Sequence, residues 1–260
     1  MPEGDTVWRA ARLLDRTLGG RTLTRTDFRV PQHATVDLSG ARVEGTLSRG
    51  KHLLTRIVGE SAWTLHTHLK MEGAWQAYRR GQRWRRPVHT ARVVLEAGER
   101  QAVGFSLGIV ELVPREREHD VVGHLGPDLL GTDWDEDEAV RRLLEQPGRS
   151  VVESLLDQTR LAGVGNMYAA ELCFTGGLAP TTAVGEVPDL RRLVRRAKAM
   201  LETNKERPQQ STTGDLRPGR RTWVYRQERC ARCGGPIRVD QLGPPGRERA
   251  TYWCPRCQTT

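Results

Sequence analysis

Four cysteines near the C-terminal end carry the most specific chemical signal in the chain. Two residues lie between Cys230 and Cys233, and two between Cys254 and Cys257, while twenty separate the two pairs. Each pair fits a tight knuckle, so four thiolates can close a tetrahedron around Zn²⁺ with no open position. The set therefore reads as one structural zinc site, with a redox dithiol as the competing reading. Between the pairs, PIRVDQL and RATYWC read as two strands of a hairpin with GPPGRE at its tip. Arg247, Arg249 and Arg256 tilt that hairpin towards phosphate. Zinc fixes a local fold but names no function. The fifth cysteine, Cys173, falls on the apolar face of a helical segment and reads as a core residue.

A second candidate centre lies at the start of the chain. Met1 precedes the small residue Pro2, so its removal is expected, and Pro2 would then present a secondary amine. An α-amino group titrates near ~8, against ~10.4 for lysine, so much more of it is neutral at neutral pH. Attack of a secondary amine on an aldehyde carbon gives an iminium cation directly, a strong electron sink for elimination. Glu3 is adjacent as a proton donor or acceptor. Both precede a helix start, where the dipole favours a carboxylate or phosphate. A Pro-Glu start is commonplace, so the pair means little by itself. His66 and His68 alternate on one strand with no third ligand close in sequence, and read as packed or surface residues.

The elements that must position these groups change character along the chain. Residues 5–18 predict a helix, with Val7, Ala11, Leu14 and Leu18 on one face, Asp5 or Thr6 as cap, and Gly19-Gly20 as stop. From about 22 to 113 the pattern is short alternating runs, which argues for an antiparallel sandwich or barrel. The leading helix would cover a face or an open edge of it. Segment 114–134 reads as loop, and helices are expected at 135–146, 150–158, 165–175 and 188–204. The last places Leu190, Leu193, Val194, Ala197, Met200 and Leu201 on one stripe, and its arginines on a solvated face. Segment 205–222 has no apolar period and should be a mobile loop.

The 260 residues carry 41 Lys plus Arg against 32 Asp plus Glu, a net charge of +9 that suits a polyanionic partner. No stretch approaches the ~20 apolar residues of a membrane span. With no signal-peptide pattern, the expectation is a soluble, cytoplasmic, nucleoid-associated protein, and a monomer.

Several separated segments then match one pattern in order: MPEG, RGKHLL at 49–54, THLKMEGAW at 67–75, LGPDLL at 125–130, LLDQTRLAGVGNMYAAELCF at 155–174 and the terminal YWCPRCQ. Together they resemble the formamidopyrimidine-DNA glycosylase and endonuclease VIII family, nearest its endonuclease VIII branch. The resemblance implies an α+β protein: an N-terminal β-sandwich over 1–120, a helix-two-turn-helix domain over 121–222 and a zinc finger over 223–260, with damaged DNA held between the halves. It implies a bifunctional glycosylase and abasic-site lyase that nicks the strand by β,δ-elimination. Pro2 would attack C1′ of the damaged nucleotide and Glu3 would assist base loss and ring opening. Lys51 would contact phosphate and serve the elimination. Arg249, five residues before the third zinc cysteine, would bind the phosphate of the flipped nucleotide. Asn166 would hold backbone phosphate, as well as starting its helix. Lys70 and His124 fall where relatives carry DNA-contacting polar residues.

Departures from the pattern bear on specificity. Asp5-Thr6 stands where the family has Pro-Glu, and the finger spacing is longer, with Pro244-Pro245-Gly246 extending the tip. Members that excise oxidised purines carry a DPRRFG-like loop; this chain reads FSLGIVEL there, and Phe105 falls too early to replace its aromatic. Met71 remains to enter the gap left by a flipped base, unless it packs in the sandwich. A flexible apolar wedge reads the partner base poorly, which points to oxidised pyrimidines and tolerance of single strands. A non-catalytic DNA-binding protein on the same scaffold is the rival reading, against which Pro2, Glu3, Lys51 and Arg249 stand together. A zinc-ribbon RNA-binding or partner-binding module explains the finger but not RGK or LAGVGN.

Overall fold

The computed structural model describes residues 2–246 and 248–259. Met1, with its expected removal, and Arg247, with its expected lean towards phosphate, lie outside the described residues. The chain forms two compact units, one ending at His124 and one beginning at Leu125.

The first unit opens with α1 (Gly4–Leu18), whose Val7, Ala11, Leu14 and Leu18 are buried at helical spacing. The expected cap is shifted. Glu3 occupies the N-cap position in an extended conformation and makes no side-chain cap, while Asp5 and Thr6 lie inside the helix. The chain leaves the helix at Gly19, where ψ turns to 133 and a Cβ would sit 2.5 Å from the Asp15 carbonyl oxygen, and Gly20 turns it with φ +73.

Eight strands follow: β1 (Arg25–Phe28), β2 (Arg42–Arg49), β3 (His52–Val58), β4 (Ala62–His68), β5 (Ala74–Arg79), β6 (Ala91–Ala97), β7 (Arg100–Phe105) and β8 (Ile109–Pro114). They make two antiparallel four-stranded sheets, ordered β2-β3-β4-β8 and β1-β6-β7-β5. Leu53, Ile57, Leu65 and Val110 of the first sheet share one core with Val93, Leu95, Ala102 and Trp75 of the second. The helix packs chiefly on β2 and β5, the edge strands of the two sheets, so it closes an open edge rather than covering a face. Asp15 clasps it there, accepting from the Thr46 N–H at 3.1 Å. Strands β5 and β8 fall inside the expected β-rich stretch, and only Pro114, the last residue of β8, reaches into the segment read as loop. A short helix, α2 (Glu118–Val122), also falls inside the expected loop. Glu118 pins it to the outer face of the first sheet, accepting two hydrogen bonds from Arg56 and one from Thr64.

In the second unit the helices are α3 (Glu136–Leu143), α4 (Val151–Leu156), α5 (Asn166–Gly176) and α6 (Leu190–Asn204). Asp135, Ser150 and Asp189 cap α3, α4 and α6 by accepting the N3 amide. Helix α5 is buried without break from Met167 to Phe174, so it forms the centre of this unit. The α6 stripe is buried as expected apart from the partly exposed Met200. Its basic face is not simply solvated: Arg191 and Arg195 pair with Glu136, and Lys198 donates to the Leu129 carbonyl. Segment 205–222 has no regular elements but is fastened rather than loose. The Asn204 amide exchanges two hydrogen bonds with the Ser211 backbone, and Thr212 bonds Glu171. A hairpin of β9 (Arg238–Leu242) and β10 (Arg249–Trp253) completes the unit.

Candidate active site

The segment Pro2-Glu3 leads straight into α1, and the Glu3 carbonyl accepts the Val7 N–H, so the first helical turn fixes its course. Glu3 is fully buried and Pro2 half-buried. Lys51 sits in the tight turn joining β2 to β3, where Gly50 takes φ 56 that a side chain would resist. It is half-buried, at the end of the first sheet that also carries His52 and His68 as cross-strand partners.

The turn between β4 and β5 presents the next two candidates. Lys70 adopts φ 51, a left-handed conformation rare for a non-glycine residue, and its N–H donates to His68 Nδ1 at 2.9 Å. The Gly73 N–H closes the turn on the Leu69 carbonyl. Gly108 lies against the Lys70 stem so closely that a Cβ there would come within 2.2 Å of Lys70 Cγ. At the tip Met71 is 61% exposed, which rules out its packing in the sandwich. Phe105 is fully buried, edge-on to Tyr78 and Trp84, and cannot swing out to fill a gap.

The ring nitrogens of His66, and Nδ1 of His68, are engaged in hydrogen bonds within the first unit. His66 is 3% exposed and bonded on both sides, its Nδ1 to Glu111 and its Nε2 to His52 Nδ1, each at 2.8 Å. His124, following α2, brings its exposed ring to 6.1 Å from that of His52. Burial, then the charges of His66, His68, His124 and Lys70, pushes His52 down to about 3. Burial, then Lys70 and Lys51, takes His68 to about 4. Sequence reasoning missed His52 and Glu111. Their partners lie on separate strands, and only the register brings them together.

In the second unit, Asn166 is the first residue of α5 and its side-chain amide donates to the Ala250 carbonyl at 2.8 Å. Arg249, exposed at the start of β10, pairs across the hairpin with Leu242, beside the lengthened tip. Glu171 was also missed. It is fully buried on α5 and accepts the backbone N–H groups of Trp223, Val224 and Tyr225, fastening the approach to the finger. Burial raises its carboxyl above the usual range, against the pull of those hydrogen bonds. A lone carboxylate inside an otherwise apolar helix was the available signal.

The four cysteine sulfurs all lie within 4.8 Å of one another and can hold a metal ion. Cys233–Cys254 and Cys230–Cys257 are 3.6 and 4.0 Å apart. Thiolates at ~2.3 Å around a tetrahedral ion would be about 3.8 Å apart, so the donor set and spacing fit. The Gly235 backbone N–H draws the Cys233 thiol down to about 7. Cys173 is far from that behaviour, buried in the core with its thiol pushed up to about 12.

A β-sandwich edged by a leading helix, followed by a helical unit that ends in a four-cysteine hairpin, defines the class. Residues 1–106 match the formamidopyrimidine-DNA glycosylase N-terminal domain. The chain is 52% identical to a probable endonuclease 8 2 of Streptomyces coelicolor, covering 99% of this chain and 94% of that one. It is 51% identical to the DNA-(apurinic or apyrimidinic site) lyase Nei2 of Mycolicibacterium smegmatis, covering 100% and 99%. A Lactococcus lactis formamidopyrimidine-DNA glycosylase bound non-covalently to DNA containing an AP site superposes with a TM-score of 0.80 at 21% identity over the whole of both chains. The chain belongs to the formamidopyrimidine-DNA glycosylase and endonuclease VIII family of base-excision DNA repair enzymes, glycosylases with abasic-site lyase activity.

Among the described residues no helix is long and apolar enough to cross a membrane.

Proposed function

We propose that the protein excises oxidised bases, pyrimidines foremost, through an iminium intermediate on Pro2 and then cuts the strand by β,δ-elimination. The observation that carries this reading is a buried acid, Glu3, directly after Pro2, which would present a secondary amine once Met1 is removed. The Pro2 nitrogen attacks C1′ of the damaged nucleotide as the base leaves, and Glu3 supplies a proton to the opening sugar. The resulting iminium draws electrons from C2′, whose proton is lost as the 3′ phosphate departs; a second elimination releases the 5′ phosphate. Lys51 assists the first of these steps and holds phosphate.

Asn166 and Arg249 hold the backbone of the same DNA, with Lys70 and His124 as further contacts and Met71 entering the stack once the base is flipped. The ion in the four-cysteine site is zinc with a structural role: its four ligands leave no open position, and it keeps the hairpin carrying Arg249 in shape. The protein acts as a monomer in the cytoplasm, on the nucleoid. The three-domain division proposed for it keeps the finger, 223–260, as a module of its own. The test is incubation of the purified protein with duplex DNA holding one abasic site. Products with phosphate on both sides of a one-nucleotide gap support the reading; an uncut strand contradicts it.

A further inference from the structure

Outside the proposed catalytic set, the first sheet carries a line of hydrogen bonds across three strands. Glu111 on β8, His66 on β4 and His52 on β3 lie on its outer face, in the registers Glu111↔His66 and Leu54↔His66. A carboxylate can only accept, so the 2.8 Å contact makes His66 Nδ1 the donor. With the His66 ring neutral, its Nε2 accepts, and His52 Nδ1 donates to it across another 2.8 Å. This fixes the His52 tautomer and leaves Nε2 as a bare lone pair, with no hydrogen-bond partner among the described residues. That nitrogen belongs to a ring set edge-on to His68, at 5.0 Å, and to His124. Lys70 acts on it directly, Lys51 on the neighbouring His68, and Arg49 is its register partner on β2. The balancing carboxylate is Glu111, two rings away.

We propose that the Glu111–His66–His52 chain is a proton-accepting relay that charges His52 when a DNA phosphate binds beside it. The inference rests on the DNA-binding reading above. In the free protein, burial and the neighbouring cations keep His52 and His68 neutral, which spares the site a stack of like charges. A phosphate seated among Lys51, Lys70 and these rings reverses that field. His52 Nε2 then takes one proton from solvent, and its Nδ1–H stays bonded to His66, which remains bonded to Glu111. The positive charge on His52 is thus held by the phosphate on one side and, through His66, by the carboxylate on the other. Glu111 and His66 act as positioning residues, since neither touches DNA. The consequence is that binding tightens as pH falls from neutrality, by more than a pair of lysines alone could produce.

The test is calorimetric titration of the full chain with duplex DNA carrying a tetrahydrofuran abasic analogue. Near neutral pH it is run in two buffers of different ionisation enthalpy. Wild type should take up protons on binding, and more of them as the pH is lowered from ~7 to ~6. Glu111→Gln keeps an acceptor for His66 but removes the charge; uptake should fall by half or more, and affinity on the acid side by about 3–10-fold. His52→Asn keeps a donor for His66 but has no basic nitrogen, and uptake should vanish. Binding without proton uptake in wild type, or uptake unchanged in either variant, overturns the relay while leaving DNA binding intact. Failure of wild type to bind any DNA overturns the functional reading, and the relay with it.

Discussion

The Asn166 side-chain amide donates to the Ala250 carbonyl across 2.8 Å, latching the first residue of α5 to β10 at the residue after Arg249. The second N–H of the same amide is available for another acceptor. One side chain can thus register the finger hairpin and serve the DNA backbone. Asn166→Ala should remove a hydrogen bond of about 1 kcal/mol and weaken binding to abasic-analogue DNA by about fivefold or more. Zinc content should not change. Unaltered affinity would show that neither role matters.

The metal site makes a separable demand. Cys233→Ser or Cys254→Ser should lose bound zinc and weaken DNA binding, while the sandwich keeps its own cooperative unfolding transition. Arg249→Ala should retain zinc, bind poorly and stall before the second elimination product. Full cleavage by a protein stripped of metal would mean that the finger does not position Arg249.

The exposed Met71 at the tip of the β4–β5 turn predicts the lesion. An apolar, flexible wedge makes few hydrogen bonds to the orphaned base, so excision should depend weakly on the partner. 5-Hydroxyuracil and thymine glycol should be removed faster than 8-oxoguanine. Met71→Ala should slow excision in duplex by about tenfold but leave single strands almost unaffected, because no gap forms there. Strong preference for 8-oxoguanine opposite cytosine would contradict the branch assignment, and an unchanged duplex rate in the variant would contradict the wedge.

Acid should weaken the sandwich. His52 and His68 are held at about 3 and about 4, mainly by burial, against 6.5 in an unfolded chain. A histidine depressed on folding contributes stability that is complete above about 6.5 and is lost as pH falls towards the folded value. The urea midpoint of wild type should therefore drop between neutrality and pH ~5. His68→Asn keeps an acceptor for the Lys70 N–H and should flatten the drop. Equal slopes for the two proteins would count against it.

The order of elements was largely readable from the sequence. Periodicity marked α1, the run of strands and α6, because each buries one face or stripe, whereas α5 is buried without break and shows only as an apolar run. The strands β5 and β8 lie within the stretch read as alternating runs, but their own limits were not marked, since AWQAYR and IVELVP are only six residues each and are flanked by turns. Helix α2 is held by Glu118 bonding Arg56 and Thr64 on distant strands, which no local pattern reveals. Within the site, the cysteine quartet was legible from spacing, since its ligands come in adjacent pairs. The Glu111–His66–His52 chain was not, since three strands must first find their register.

Pro2, and not a lysine, is the nucleophile on which the whole proposed mechanism turns. Borohydride reduces an iminium to a stable amine and so freezes the enzyme on abasic-site DNA. Peptide mapping of the trapped complex should find the sugar remnant on the Pro2 nitrogen. Glu3→Gln should still trap on a preformed abasic site while losing most excision of an intact damaged base. An adduct mapped to Lys51, or no trapping at all on DNA that the protein nonetheless cuts, would contradict the mechanism.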